Sequence, residues 1–250
     1  MMDAPFTMNS FVGKQILSLV RDGDYAHAGE EEAIELAFAQ VEKDAERLIL
    51  DVGCGRGGTA AYLRTKGWGR VIGLDIEAAS IEVARETYPD LDFLVGDAAR
   101  AEETVTDSPD LICMFNAFYC FQDQRGALEA LARVSRPDTR MIIFDHVDRG
   151  GYRDTPLMDA GEPFLPNPLV LSEVAAQLTS IGWTVPEILE IPDAYRRWYD
   201  DLVGRICEAR DRITDLAGSA GYEHVLHLYR GLAEAAAAGR LGAAIITTTR

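Results

Sequence analysis

From residue 48 onward, short apolar runs alternate with longer stretches whose apolar residues recur at three- and four-residue intervals. Strand-like runs of this kind recur between 48 and 147. Between them, 76–88 turns Ile81, Val83 and Ala84 inward as a helix, and 123–135 does the same with Leu128, Leu131 and Val134. This alternation predicts a parallel sheet covered on both faces. Ahead of it, Gly29-Glu30-Glu31-Glu32 opens a helix whose first-turn acids suit its dipole, with Ile34, Phe38 and Val41 as its apolar stripe. After the fifth strand, 149–168 is rich in Gly and Pro and reads as a lid loop. Leu171, Val174, Leu178 and Ile181 then mark a helix stopped by Gly182, 185–191 reads as a strand, and helices follow at 195–216 and 222–238. The apolar ending, 241–249, is a strand inserted beside the preceding one. The chain 1–250 thus reads as a single domain. It comprises a helical cap (1–46), a core (47–150), a lid loop, strand and helical region (151–240), and a final strand (241–250).

The most informative stretch joins the first strand to a glycine-rich turn, Asp51-Val52-Gly53-Cys54-Gly55-Arg56-Gly57-Gly58. Glycines here let the backbone approach a ligand closely, and a helix beginning near Thr59 points its first amides at the same place. Taken literally, Gly53-x-Gly55-x-x-Gly58 with Asp75 about twenty residues on satisfies the dinucleotide fingerprint, which leaves an NAD-dependent oxidoreductase as one reading. Asp51 argues against it. A carboxylate at the turn repels a pyrophosphate and attracts the ammonium of an amino-acid moiety, which favours S-adenosylmethionine, a cofactor without phosphate.

In this respect the chain resembles the class I S-adenosylmethionine-dependent methyltransferases. Asp51–Gly57 stands where that family has its first motif, and Val71-Ile72-Gly73-Leu74-Asp75-Ile76 resembles its second strand, whose terminal acid holds the ribose hydroxyls. Leu94-Val95-Gly96-Asp97-Ala98 is similar to the third, whose acid and following amide meet the adenine. Asp110–Asn116 is similar to the fourth strand, and Val134-Ser135-Arg136-Pro137 with Met141–Phe144 to the turn and fifth strand. The resemblance implies a Rossmann-like, doubly wound α/β fold. Its seven-stranded, mainly parallel sheet has an antiparallel last strand, with a helical N-terminal cap and an insertion. It also implies S-adenosylmethionine held by Asp51, Gly53, Cys54, Gly55, Asp75, Ile76, Asp97, Ala98 and Asn116, and methyl transfer to an oxygen or nitrogen of a small molecule. A cofactor-binding protein that transfers nothing has the same signature.

Candidates for the chemistry lie around the expected crevice. Tyr25 precedes the first cofactor-side helix where related enzymes place an aromatic lid, and His27 beside it is a candidate base. Asn116-Ala117-Phe118-Tyr119 shares its first and last residue types with the Asn-Pro-Pro-Tyr signature of base-modifying amino-methyltransferases but lacks both prolines. Where the phosphoethanolamine enzymes carry a catalytic histidine, this chain has Tyr119 and Cys120, so that histidine's role does not carry over and Tyr119 stands as a catalytic candidate in its place. Asp145-His146 ends the fifth strand, which makes His146 a second candidate base, and Trp198 is a candidate substrate or lid residue. A phosphate-bearing substrate needs clustered cations, for which Arg149, Arg153, Arg196 and Arg197 are the available set.

Composition narrows the partners. With 24 Lys and Arg against 41 Asp and Glu, the net charge of -17 disfavours nucleic acid. No run approaches the eighteen or so apolar residues of a membrane span. The segment 11–20 is interrupted by Lys14 and lacks the form of a signal peptide. The four cysteines form no C-x-x-C pair, so free thiols, no metal site and a reducing, cytoplasmic setting are expected. Fold and cofactor fix neither the acceptor nor the oligomeric state.

Overall fold

The computed structural model describes residues 6–250. Helix α1 (Phe11–Arg21) starts at Ser10, whose hydroxyl accepts the Gly13 amide, and stops at Asp22 in the left-handed region. The segment interrupted by Lys14 is therefore an amphipathic helix, with Ile16, Leu17 and Val20 buried. α2 (Glu30–Ala37) carries the expected acids in its first turn and buries Ile34, and Phe38 and Val41 are buried just beyond it.

The alternating half follows as β1 (Leu48–Val52), α3 (Gly58–Thr65), β2 (Arg70–Asp75), α4 (Ala78–Thr87), β3 (Asp92–Val95), β4 (Leu111–Phe115), α5 (Gln124–Val134) and β5 (Arg140–Asp148). Within the expected lid loop lies a small hairpin, β6 (Met158–Asp159) and β7 (Glu162–Pro163). α6 (Leu171–Ile181) ends at Gly182 with φ 100° as anticipated, and β8 (Glu187–Glu190), α7 (Pro192–Glu208), α8 (Arg210–Ala237) and β9 (Leu241–Thr249) complete the chain. The helical insertion is cut differently from the expectation. One break falls at Ala209, between α7 and α8, and Gly218 (φ 74°, ψ 169°) kinks α8 where the boundary between the two expected helices lay.

The seven-stranded sheet has the order β3-β2-β1-β4-β5-β9-β8. The first five are mutually parallel, and β9 runs antiparallel to both neighbours, from Arg140↔Thr249 to Asp148↔Leu241 along β5. The antiparallel strand is therefore internal, and the outermost position falls to the short, exposed β8. Successive strand residues face opposite layers: Ile49 and Ile142 pack with Leu63, Ile81, Leu202 and Leu228, while Leu50 and Ile143 pack with Leu128, Leu131 and Leu178. Strand order reverses between β1 and β4, and the ends of these strands open the crevice that places ligands in such sheets. Among the described residues no helix is long and apolar enough to cross a membrane, and no group of metal-ligating side chains is assembled.

Candidate active site

At the end of β1 the chain turns through Gly53 (φ 76°), Gly55 (φ 54°) and Gly57 (φ 88°). A Cβ at Gly53 would collide with the Ala117 methyl, so the turn and the residue beyond β4 touch only because glycine stands there. A Cβ at Gly55 would meet nothing within 4 Å, because that side is open. Asp75, closing β2, is largely buried and accepts the Gly55 amide on Oδ2 at 2.8 Å and the Glu77 amide on Oδ1 at 2.9 Å. Asp97, beyond β3, accepts the Ala99 amide at 2.9 Å, and Asn116, beyond β4 with φ 45°, accepts the Ala28 amide at 3.0 Å. Gly53, Gly55, Asp75, Ile76, Asp97, Ala98 and Asn116 all line one cavity of about 610 Å³.

Two residues expected to meet the cofactor are not on that wall. Asp51 is buried behind the turn, with the Cys113 thiol directed at it. Desolvation, reinforced by the charge of Asp75, pushes its carboxyl up to about 7. Cys54 packs toward Gly73, where a Cβ would come within 2.8 Å of its sulfur, and burial pushes its thiol well up.

The N-terminal segment covers the other side of the glycine turn. A Cβ at Gly58, the first residue of α3, would lie 2.6 Å from the Asp24 carbonyl. The Asp24 carboxylate takes Arg56 Nε at 2.7 Å, the Ser18 hydroxyl at 2.9 Å and the Tyr88 hydroxyl at 3.1 Å. A helix N-terminus that would serve a pyrophosphate is thus occupied by backbone and an acid. From α1, Lys14 reaches Glu77 at 2.7 Å and lies 3.8 Å from Asp75. Neither Lys14 nor Asp24 carried a motif that marked it in the sequence.

Past Asn116 the cavity becomes an aromatic chamber, lined by Tyr119, His146, Phe164, Tyr199 and Tyr229 with Leu165, Leu232 and Arg21. His146 bonds Tyr195 Oη through Nδ1 at 2.7 Å, and the Tyr119 ring meets it edge-on at 4.8 Å. Burial, with the charge of Arg21 second, holds its imidazole down to about 3. The neighbouring Asp145 points to the opposite face, as strand alternation requires, and accepts the amides of Tyr119 (3.0 Å) and His146 (2.7 Å). Desolvation pushes its carboxyl up to about 7 against those hydrogen bonds.

Several expected site residues lie elsewhere. His27 is packed against Phe115 and Phe144, with Nε2 on the Thr59 hydroxyl at 3.0 Å and Nδ1 on the Ala28 carbonyl at 3.1 Å, so neither nitrogen faces the cavity. Tyr25 stands outside the cavity, edge-on to His27 and reaching Glu31. Trp198 fills the space over Gly29 and donates to Glu32 at 2.8 Å, joining α7 to α2, and it is the next residue, Tyr199, that enters the chamber. Arg149, Arg153, Arg196 and Arg197 pair with Glu190, Glu173, Asp193 and Glu32 off the cavity. Among the described residues the cation in the chamber is Arg21, which the sequence did not single out because it sits at the end of an unmarked helix.

The donor set fits S-adenosylmethionine. Asp75 offers a carboxylate for a diol at the end of β2, Asp97 and Ala98 offer an acid and an amide one strand over, and the open side of Gly55 leaves room between them. The Asp24 carboxylate and backbone covering the N-terminus of α3 disfavour a diphosphate there.

Comparison with known proteins gives the same assignment. A family model described as a methyltransferase domain matches residues 49–138. The chain is 32% identical over 151 residues to an O-methyltransferase of Pyrenophora dematioidea, covering 57% of this chain and 56% of that one. A second O-methyltransferase, from Aspergillus nomiae, is 29% identical over 203 residues, covering 72% of this chain and 90% of that one. The chain therefore spans about half the length of the first relative and most of the second. The cyclopropane synthase MmaA2 of Mycobacterium tuberculosis shares the fold with a TM-score of 0.81 at 16% identity, over 99% of this chain and 97% of that one. Glycine turn, strand order and sequence match together identify residues 49–138 as a methyltransferase domain, set in a Rossmann-like fold shared with solved methyltransferase structures.

Proposed function

We propose that the protein transfers a methyl group from S-adenosylmethionine to an oxygen or nitrogen of a small molecule seated in the aromatic chamber. The observation that carries this reading is the continuity of one cavity, from Asp75 and Asp97 at the cofactor end, past Asn116, to His146, Tyr199 and Tyr229. When bound, the cofactor supplies an electrophilic methyl group on a sulfonium. The chain's own contribution is placement and exclusion of water. Asp75, Asp97 and the Ala98 amide fix the nucleoside, and Tyr119, Phe164, Tyr199 and Tyr229 wall the acceptor against solvent. Orientation of two reactants in this way can supply roughly 7–11 kcal/mol of a barrier. His146 stays neutral, with Nδ1 held by Tyr195, and no described residue hydrogen-bonds its Nε2. That nitrogen accepts the proton of an acceptor that arrives protonated. The O-methyltransferase relatives support an oxygen acceptor, and the net charge of -17 argues against a nucleic acid.

The test is calorimetric titration with S-adenosylhomocysteine and, in parallel, NAD. Micromolar binding of the former alone is expected, and binding of NAD alone would overturn the reading. Release of S-adenosylhomocysteine in the presence of small acceptors then separates an enzyme from a protein that only binds the cofactor.

A further inference from the structure

Among the described residues the acceptor chamber contains one formal charge that the proposed reaction does not use. Arg21, the last residue of α1, is 5% exposed and lines the chamber. Its Nη1 donates to the His27 carbonyl and to Glu30 Oε1, its side chain also stands within hydrogen-bonding reach of the Tyr229 hydroxyl, and its Nε is buried without a partner among the described residues. Glu30 does not fully neutralise it, because the same Oε1 also accepts Arg205 Nη2 at 2.9 Å, so one carboxylate serves two guanidinium groups. An under-compensated, incompletely bonded guanidinium is costly in an aromatic wall.

The acids of the cavity do not relieve it. Asp75, Glu77, Asp97 and Asp123 belong to the cofactor end or the rim beyond β4, and Asp145 points to the other face of β5. Around Arg21 the wall consists of Tyr199, Tyr229, Phe164, Leu165 and Leu232, with His146 neutral. The positive charge is felt across this space: it adds to burial in holding His146 down, and on Tyr199 and Tyr229 it opposes the upward push of burial more strongly than Asp145 and Asp159, respectively, reinforce that push. A chamber with this wall repels an ammonium and attracts an anion, and the planar fork of arginine matches an oxyanion.

We propose that the small molecule bound in this chamber is an acid, an apolar body whose oxyanion, a carboxylate or an ionised enol or phenol, pairs with Arg21. The inference rests on the reading of the chamber as the acceptor site and narrows it to a substrate class.

Three ligands of one shape test it: 3-phenylpropionate, its carboxamide and 3-phenylpropylamine. Each is titrated at pH 7.5 into wild-type protein with and without saturating S-adenosylhomocysteine. The carboxylate is expected to bind at least about tenfold more tightly than the amide, with the amine weakest. Arg21→Met is expected to abolish the advantage of the carboxylate, and Arg21→Lys, which keeps the charge and loses the fork, to restore part of it. Equal binding of carboxylate and amide, preference for the amine, or binding of none of the three overturns the proposal. The wild-type series decides the matter even if Arg21→Met does not fold. Failure of S-adenosylhomocysteine itself to bind, with the carboxylate preference intact, counts against the methyl-transfer reading and not against this one.

Discussion

His146 on β5 and Tyr195 on α7 are joined through Nδ1 and Oη at 2.7 Å, which fixes the imidazole ring at the chamber wall. Because burial holds this histidine down to about 3, it is neutral throughout the physiological range. The pH profile of kcat/KM for methyl transfer is therefore expected to show no inflection near 6.5, the ordinary histidine value. A limb at that pH that vanishes in His146→Gln contradicts the assignment. Tyr195→Phe removes the hydroxyl and leaves Nδ1 unpaired, and kcat is expected to fall about tenfold, the equivalent of one buried hydrogen bond, with S-adenosylhomocysteine affinity little changed.

Asp75→Ala removes the carboxylate at the end of β2 together with the anchor of the Gly55 and Glu77 amides. Charged hydrogen bonds are worth about 1.5–3 kcal/mol, so affinity for S-adenosylhomocysteine is expected to drop roughly 10- to 100-fold by calorimetry. Unchanged affinity would place the nucleoside elsewhere.

The two glycines of the turn are expected to fail in different ways. At Gly53 an added methyl collides with Ala117 in a strained conformation, so Gly53→Ala should cost about 2–4 kcal/mol of stability in denaturant unfolding. At Gly55 the methyl enters open space, and Gly55→Ala should fold with a loss of about 1 kcal/mol while losing cofactor binding.

Asp51→Asn tests the buried acid behind the turn. The native carboxyl is raised to about 7 from a model-peptide value near 3.9, so folding favours the protonated form. Its favourable contribution is fully present below about pH 4 and is lost as pH rises through 7. The difference in melting temperature, mutant minus wild type, is therefore expected to be more positive at pH 8 than at pH 4.5. An equal difference at both values would mean that Asp51 ionises normally in the fold.

The sheet was legible because its strands are continuous apolar runs whose acids and glycines fall at strand ends, where backbone geometry dictates residue type. The cofactor end follows the same logic, and Asp75, Asp97 and Asn116 stand where their strands lead. Asp51 stands apart for a physical reason: it belongs to the strand itself, so its carboxyl is buried behind the turn and off the cavity wall. The acceptor end was opaque. Arg21, Tyr199 and Tyr229 come from three helices far apart in sequence, and nothing local separates a tyrosine facing a chamber from one facing a core. Trp198 and Tyr199 are adjacent, and the helix turns the first toward Gly29 and the second into the cavity. His27 looked available in the sequence because a histidine in a loop reads as exposed, whereas the cap folds it beneath its own backbone.

Lys14 and Arg21 stand about two turns apart on α1, hence along one side of it. One is docked on Asp75 and Glu77, and the other stands in the aromatic chamber. A single helix therefore bolts two compartments at once. If it swings out, both are unlocked together, and neither spent cofactor nor product gains a private exit past α1.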